Sequence, residues 1–203
     1  MIYNEIYPME GIAFRYLHLY LYPLNYTQIF CIMKQLTLFF FSTFLLMYNQ
    51  VNATDLVVNA GGAGGTYSSV KAAIDAAAAN DRIIIYPQPN GASYSEGTIT
   101  LTKSIQLLSA NEGAFYTIDG NFNITPASVG IQITIIGMRL LTGGIQSTIA
   151  SPAGIRSTIN ILNDSLVGGL ININHDNYNL VAASNYIYGG ITMRYGKIIG
   201  NHI

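Results

Sequence analysis

Residues 67–87 read YSSVKAAIDAAAANDRIIIYP, an alanine-rich segment that runs directly into a β-branched one. Its apolar residues recur at helical spacing and share one face: Val70, Ala73, Ile74, Ala77 and Ala78. Ser68 or Ser69 can cap the N-terminus of this helix, and Asn80 is a suitable C-terminal stop. The segment therefore predicts a short amphipathic helix with a small apolar face, followed by a strand.

Beyond the predicted helix the helical spacing gives way to short runs in which apolar and polar residues alternate, as in β-strands. Ile131, Ile133 and Ile135 share one face of such a run, and the polar residues between them share the other. The predicted strands cover residues 82–86, 98–101, 104–108, 130–136, 158–162, 169–173 and 191–194. Their polar residues are mainly Thr, Asn, Gln and Ser, so we expect an outer surface that is polar but uncharged.

A repeat is visible in three stretches that align on a Gly-Gly pair, GMRLLTGGIQST, LNDSLVGGLINI and ASNYIYGGITMR. The pairs begin at Gly143, Gly168 and Gly189, so the steps are 25 and 21 residues. Steps of this length with two or three short strands predict the coils of a parallel β-solenoid. Leucine-rich repeats have a similar step, but their spaced leucines and ladder asparagine are not found, and a β-sandwich would need more frequent hairpin turns. We expect the helix in residues 67–87 to cover the open end of the first coil.

The order of segments around the helix resembles a known family. The order is a Gly-rich loop, TYSSVKAAIDAA, NDRIIIYP, GASYSEGTITLTKSIQLLS and then YTIDGNFNI. It resembles the start of right-handed parallel β-helix proteins of the pectin-lyase-like superfamily, most of all the pectinesterase N-terminal region. Gly91, Tyr94 and Glu96 match its Gly-x-Tyr-x-Glu motif with one additional residue.

The resemblance covers residues 55–120 and implies an all-β fold, a right-handed parallel β-helix (solenoid) with an N-terminal amphipathic capping helix. It implies no activity, because catalytic and non-catalytic members of the superfamily share such a start. The strings that carry catalysis in pectinesterases are not found in this chain, so the resemblance transfers no catalytic residue.

Residues 33–53 are typical of a secretory signal peptide. Lys34 gives a positive start, an apolar run follows over residues 36–47, and Val51 and Ala53 occupy the −3 and −1 positions of a small-residue cleavage site. Met33 stands where the initiator would be. This pattern predicts that the protein is extracellular or located at the cell surface.

The signal peptide defines the predicted domain organisation. Residues 54–203 would be the mature β-helix domain, and residues 1–32 would be a non-native upstream extension. The alternative is that the chain begins at Met1 and that residues 29–48 form a membrane anchor. In either case the remainder of the chain leaves the cytoplasm.

The composition excludes several classes of function. Charged residues make up 9% of the 203 residues and the net charge is −1, so no basic surface is expected to bind nucleic acid. The single cysteine, Cys31, excludes a disulfide framework and a cysteine metal site. The glycines of residues 59–67 fit neither the P-loop nor the dinucleotide fingerprint, so we expect no cofactor and no metal.

The candidate catalytic residues are Arg139, Asp164 and Asp176. Counted back from the Gly-Gly pairs, Arg139, Asp164 and Asn185 occupy equivalent places and would form a column if the coils stack in register. Such a column is either a polar binding or acid–base site or, as we favour, a surface Arg–Asp pair followed by a turn asparagine. His175 and Asp176 suggest a second polar patch, for which a solvated turn is the favoured interpretation.

Three functions fit the sequence. The first is a non-catalytic secreted or cell-surface solenoid that contacts glycans or partners through its Thr-, Asn- and Tyr-rich faces. The second is the N-terminal part of a carbohydrate-active enzyme, like a pectinesterase or pectate lyase, with its catalytic coils beyond Ile203. The third is a structural spacer in an adhesin. Because the last residues end in mid-pattern, we expect a solenoid truncated at the C-terminus rather than one that pairs end to end with another copy.

Overall fold

The computed structural model describes residues 34–37, 53–62 and 66–203, and the chain divides into two compact units, Met1–Gln50 and Val51–Ile203. In the first unit the described residues are helical and exposed. The predicted upstream extension, Cys31 and nearly all of the predicted signal peptide and anchor lie outside the described residues. Within the part of the chain that the structure describes, no helix is long and apolar enough to cross a membrane.

The second unit consists mainly of short strands. Its described helices are α1 (Val70–Ala76) and the 3-10 turn Pro89–Gly91. The described strands are β1 (Asp55–Val58), β2 (Arg82–Ile85), β3 (Tyr94–Leu101), β4 (Ile105–Ser109), β5 (Tyr116–Ile124), β6 (Gln132–Ile136), β7 (Met138–Leu140), β8 (Ile145–Ser147), β9 (Ser157–Leu162), β10 (Ser165–Leu166), β11 (Ile171–Ile173), β12 (Tyr178–Ala183), β13 (Tyr186–Ile187), β14 (Ile191–Met193) and β15 (Gly196–Ile199).

The strands wind into a parallel β-solenoid of about six turns, which confirms the predicted fold class. One sheet has the order β1-β2-β4-β6-β9-β12-β15 and the other the order β13-β10-β7-β5-β8-β11-β14, with β3 beside β5. Every pairing between these strands is parallel. The long strand β5 pairs with β7 through its first part and with β8 through its second part. Each later coil therefore contributes two short strands to the second sheet in place of one long strand.

The core is made of aliphatic side chains that stack on one another from coil to coil. One such column runs through Ile105, Ile133, Ile159 and Leu180, all of which are buried. The alternation of residues 130–136 is as predicted, because Ile131, Ile133 and Ile135 point inward. Each of these side chains contributes about 1.5–3 kcal/mol by burial, so the interior of the tube is the main source of stability.

Helix α1 packs against β1, β2 and β3 at one end of the tube, as the amphipathic pattern predicts. Its own residues Val70, Ala73 and Ile74 are buried. The helix ends earlier than expected, with Ala77 as its C-cap, and Ala78 is exposed. Asn80 has the left-handed φ of 73° that suits a stop, but it lies beyond the helix.

The C-terminal side of the helix is fixed by Asp81, a buried residue that the sequence analysis did not single out. Its carboxylate accepts hydrogen bonds from the backbone N–H of Ala78 at 2.7 Å and of Thr54 at 2.7 Å. Lys103 also donates to the carbonyl of Ala77. The end of α1 is therefore attached both to the first strand region and to the next coil.

The Gly-x-Tyr-x-Glu-like motif has a structural role in fastening the cap. The Tyr94 hydroxyl donates to the Tyr86 carbonyl at 2.7 Å. The Glu96 carboxylate accepts from the backbone N–H of Val70 at 2.6 Å, from that of Lys71 at 3.2 Å and from the Ser69 hydroxyl at 2.8 Å. Because the first N–H groups of a helix have no partner within it, Glu96 satisfies donors that would otherwise be unpaired.

We expect Glu96→Ala to lower the free energy of unfolding by about 1–3 kcal/mol, because it leaves three partly buried donors without an acceptor. Urea denaturation of the purified chain measures the change. Glu112→Ala is the matched control, since Glu112 lies on an exposed loop and its loss should have little effect. Equal stability of the Glu96→Ala and Glu112→Ala variants would contradict the capping role.

Candidate functional site

The strand register places the predicted column differently from the Gly-Gly alignment. Arg139 pairs with Ser165, which pairs with Tyr186. Asp164 and Asn185 each stand one residue earlier and stack on each other. The structure therefore brings Asp164 and Asn185 together, but it does not bring Arg139 into their column.

The displacement arises between the first two Gly-Gly pairs. Ile145 pairs with Ile171, and Ile171 pairs with Ile191, so Gly143 lies level with Gly169 rather than with Gly168. The apolar residues that repeat are accordingly Leu140, Leu166 and Ile187, all of them buried. Aligning the first Gly-Gly pair on the second shifted the register between these two coils by one residue. In a strand, a shift of one residue exchanges the inner and outer faces.

Asp164 and Asn185 belong to a polar ladder inside a corner of the tube. The Met138 N–H donates to Asp164 Oδ1 at 2.6 Å, the Asp164 N–H to Asn185 Oδ1 at 2.8 Å, and the Asn185 N–H to Asn201 Oδ1 at 2.9 Å. Only the ladder asparagine of leucine-rich repeats was excluded from the sequence, and this ladder of the β-solenoid was not predicted. The sequence signal available was the recurrence of Asn or Asp at positions 164, 185 and 201, each directly before a residue of the column Ser165, Tyr186 and His202.

The amide groups of the ladder also satisfy carbonyls on the preceding coil. Asn185 Nδ2 donates to the carbonyl of Ile161 at 2.8 Å, and Asn201 Nδ2 donates to that of Ala182 at 2.8 Å. The strand register places Ala182 beside Ile161 and Ile161 beside Ile135. The equivalent carbonyl on the coil before Asp164 is therefore that of Ile135. A carboxylate cannot donate to this carbonyl, whereas a protonated carboxyl can.

Asp164 is only 2% exposed, and its Oδ2 accepts no hydrogen bond from the residues that the structure describes. Burial raises the pKa of its carboxyl well above the usual range, although the N–H groups of Met138, Leu162 and Gly137 oppose the shift. The buried Tyr116 phenol faces the same environment, and its pKa is raised first by burial and then by the charge of Asp164. Burial therefore favours the neutral form of the Asp164 carboxyl, which lies inside the wall and is not accessible to a ligand.

We expect Asp164→Asn to raise the free energy of unfolding at pH 7 by about 1–3 kcal/mol, because the amide restores the missing donor without titrating. In the native chain the folded state keeps a proton that the unfolded state loses above pH about 3.9. Stability should therefore fall as the pH rises from there toward the folded-state pKa, by at most about 1.4 kcal/mol per pH unit, and Asp164→Asn should remove this slope.

Urea denaturation at a series of pH values tests this expectation. Asp75→Asn is the control, since Asp75 is an exposed residue paired only with Lys71 across one turn of α1. It should leave the pH slope unchanged. An Asp164→Asn chain that is less stable than the native one at pH 7 would show that the ladder does not need a neutral group there.

Asp176 and His175 lie in a turn between coils, the interpretation that the sequence analysis favoured. Asp176 forms an exposed ion pair with Arg194 at 2.8 Å. Asn177 has a left-handed φ of 64° and donates to the Ser151 carbonyl at 3.0 Å, which holds the turn in place. Asp176 therefore has a cationic partner at the surface and lies in a different coil connection from Asp164.

A surface groove of about 570 Å³ lies at the Gly-Gly corner. It spans four consecutive coils, and its floor is formed by the glycines that align at this corner. Its lining residues are Asn121, Gly143, Gly144, Gln146, Val167, Gly168, Gly169, Leu170, Asn172, Tyr188 and Gly189. No charged side chain is among these lining residues.

Glycine is required at the floor because neighbouring coils approach there backbone to backbone. A Cβ on Gly144 would lie 2.6 Å from the Leu170 carbonyl oxygen, and one on Gly189 would lie 2.6 Å from that of Gly169. Gly143 also adopts a left-handed φ of 70°, which glycine tolerates best. The glycines of the repeated Gly-Gly pairs, apart from Gly190, therefore form the floor of the groove.

Amide and aromatic side chains form the walls. Gln146 pairs in register with Asn123 on one side and with Asn172 on the other, and Asn172 pairs with Thr192. Asn121 Oδ1 accepts from the Gly144 N–H at 3.2 Å, which fixes that wall against the floor. Tyr188 is 79% exposed and stands at one end. The groove thus presents donors, acceptors and apolar surface with no charge.

We expect Gly144→Ala to lower the free energy of unfolding by about 1–3 kcal/mol, because a methyl group must separate two backbones in contact. Gly61→Ala is the matched control, since a Cβ there meets nothing within 4 Å. Neither glycine has a left-handed φ, so the comparison isolates the steric contact. A loss of stability no larger for Gly144→Ala than for Gly61→Ala would contradict close packing at this corner.

No metal site emerges from the described residues, which contain no cluster of three or more His, Cys, Asp or Glu side chains that could hold an ion. No protein-family model, curated protein or solved structure matches this chain. The solenoid fold that the pectinesterase resemblance implied is confirmed, and membership of the pectin-lyase-like superfamily stays a prediction.

Proposed function

We propose that this protein is a secreted or cell-surface β-solenoid that binds glycans without catalysis, through the groove at the Gly-Gly corner. The observation that carries the proposal is the lining of that groove, in which amide side chains, an exposed tyrosine and glycine backbone occur together without a charged group. Export rests on the sequence pattern of residues 33–53 and is tested by mass spectrometry of the mature N-terminus.

The lining suits the chemistry of sugars. Each sugar hydroxyl is both a donor and an acceptor, and the Gln146 and Asn172 amides offer both kinds of group side by side. Val167 and Leu170 are 39% and 42% exposed and provide apolar surface for the C–H face of a sugar ring. Tyr188 adds an aromatic face and a hydroxyl, the combination that favours binding at a wet surface. A glycine floor lets the ligand approach the backbone.

The positions of the candidate catalytic residues support a non-catalytic protein. Asp164 is buried within the wall, Asp176 is paired with Arg194 in a turn, and Arg139 lies on the outer side of β7. General acid–base catalysis needs a side chain within hydrogen-bond reach of the substrate proton that it transfers. The enzyme and adhesin-spacer alternatives therefore draw no specific support from the described residues.

We expect Tyr188→Ala to weaken glycan binding at least tenfold, because the ring is the largest exposed apolar surface at the groove. Tyr186→Ala is the matched control, since Tyr186 lies two residues away, stacks on His202 at 5.0 Å between ring centroids, and does not line the groove. Binding is measured on a panel of immobilised neutral and acidic oligosaccharides with the labelled chain, then by calorimetry for the best ligands.

The two tyrosine variants separate a site in the groove from binding elsewhere. Loss with Tyr188→Ala and retention with Tyr186→Ala would support the proposed site. Equal loss in both variants would place recognition outside the groove, and no binding to any member of the panel by the native chain would overturn the proposed function.

A further inference from the structure

We propose that the groove takes an uncharged oligosaccharide of more than one sugar unit, lying along the axis of the solenoid. This inference rests on the proposed function and specifies its ligand class. It is carried by two independent observations, the arrangement of the lining across the coils and the charges beside the groove.

The lining residues fall on successive coils rather than along one strand. Asn121 lies on β5, Gln146 on the next coil, Asn172 on the one after it and Tyr188 on the fourth. Neighbouring strands of a sheet are about 4.8 Å apart, so three steps cover roughly 14 Å along the axis. With a volume of about 570 Å³, the groove is elongated in this direction and exceeds what one sugar ring would fill.

The walls also repeat along this direction. Asn123, Gln146, Asn172 and Thr192 follow one another in register, so an uncharged hydrogen-bonding side chain recurs at each step, and Gln146 and Asn172 are the two that line the groove. A polymer whose hydroxyls recur along its length can engage several of these side chains at once. A single sugar would reach only one or two of them, and its affinity should be correspondingly lower.

The charges near the groove disfavour an acidic ligand. Recognition of a carboxylate normally uses Arg or Lys, and neither lines the groove. The flank instead carries the Asp119 carboxylate, which accepts a hydrogen bond from the hydroxyl of Thr142, the residue before Gly143. A negative charge in this place repels an anionic glycan, with a strength that salt would reduce.

The cations of the described chain lie elsewhere. Arg139 lies in the column of Ser165 and Tyr186 and does not line the groove. Arg194 is paired with Asp176 at 2.8 Å, and the Arg156 guanidinium lies over the Tyr195 ring at 4.0 Å. None of these side chains presents its charge to the groove.

The test compares linear 1,4-linked galactose oligomers with the galacturonic acid oligomers of the same linkage, from the monosaccharide to the hexamer, by calorimetry at low salt. We expect the neutral series to bind at least tenfold more tightly than the acidic series, and affinity to rise at least tenfold between monosaccharide and trimer. If galactose is not the sugar accepted, a neutral and uronic acid pair is chosen from the best ligand on the panel.

Asp119→Asn provides the matched variant, because the amide oxygen keeps the acceptor for Thr142 while the charge is lost. It should improve binding of the acidic series and leave that of the neutral series unchanged. Acidic oligomers that bind as tightly as neutral ones would overturn the inference about charge, and a monosaccharide that binds as tightly as the trimer would overturn the inference about length. Either result leaves glycan binding itself standing, whereas failure of every oligosaccharide would reject the proposed function.

Discussion

The whole fold depends on the parallel hydrogen bonding between successive coils. Because neighbouring strands must lie about 4.8 Å apart, each residue type has to fit above and below its equivalents on the adjacent coils. Inside the tube, aliphatic side chains meet this condition by stacking, as Ile133 does between Ile105 and Ile159. At the corners, where side chains have less room, the chain uses asparagine at one corner and glycine at another.

The asparagine corner shows what this constraint demands of a polar group. A buried N–H and a buried carbonyl recur at each coil, and the amide of Asn185 satisfies one of each. Asp164 occupies the same place but offers only acceptors when it is ionised, and burial raises the pKa of its carboxyl, which favours the neutral form. The ladder thus has a structural role, and its one acidic member is the group through which we expect the stability of the coil stack to depend on pH.

The sequence predicted the fold well, because the decisive signals were local. The helix face of Val70, Ala73 and Ile74 and the alternating isoleucines of β6 depend on periods of 3.6 and 2 residues, which any single stretch contains. The end of α1 was predicted less well, since its stop depends on Asp81, whose carboxylate holds Ala78 and Thr54 from outside the helix. That contact depends on tertiary structure and leaves no local pattern.

The candidate site was harder to predict, for a related physical reason. A solenoid assembles its surfaces from residues that lie 16 to 28 positions apart, and coil lengths vary: Ile133 pairs with Ile159 and Ile159 with Leu180, steps of 26 and 21. A one-residue misalignment therefore placed Arg139 beside Asp164. No short motif could have identified Gln146 and Asn172 as neighbours.

The Gly-Gly pairs were the one part of the groove visible in the sequence, and their meaning follows from the stacking constraint. Glycine is used there because a Cβ on Gly144 would meet the next backbone, at Leu170. Removing side chains from the same position on several coils necessarily leaves a furrow along the axis, and the side chains that border it, such as Gln146 and Tyr188, become its walls. The condition that lets the coils pack at this corner therefore also creates the surface on which we place the function.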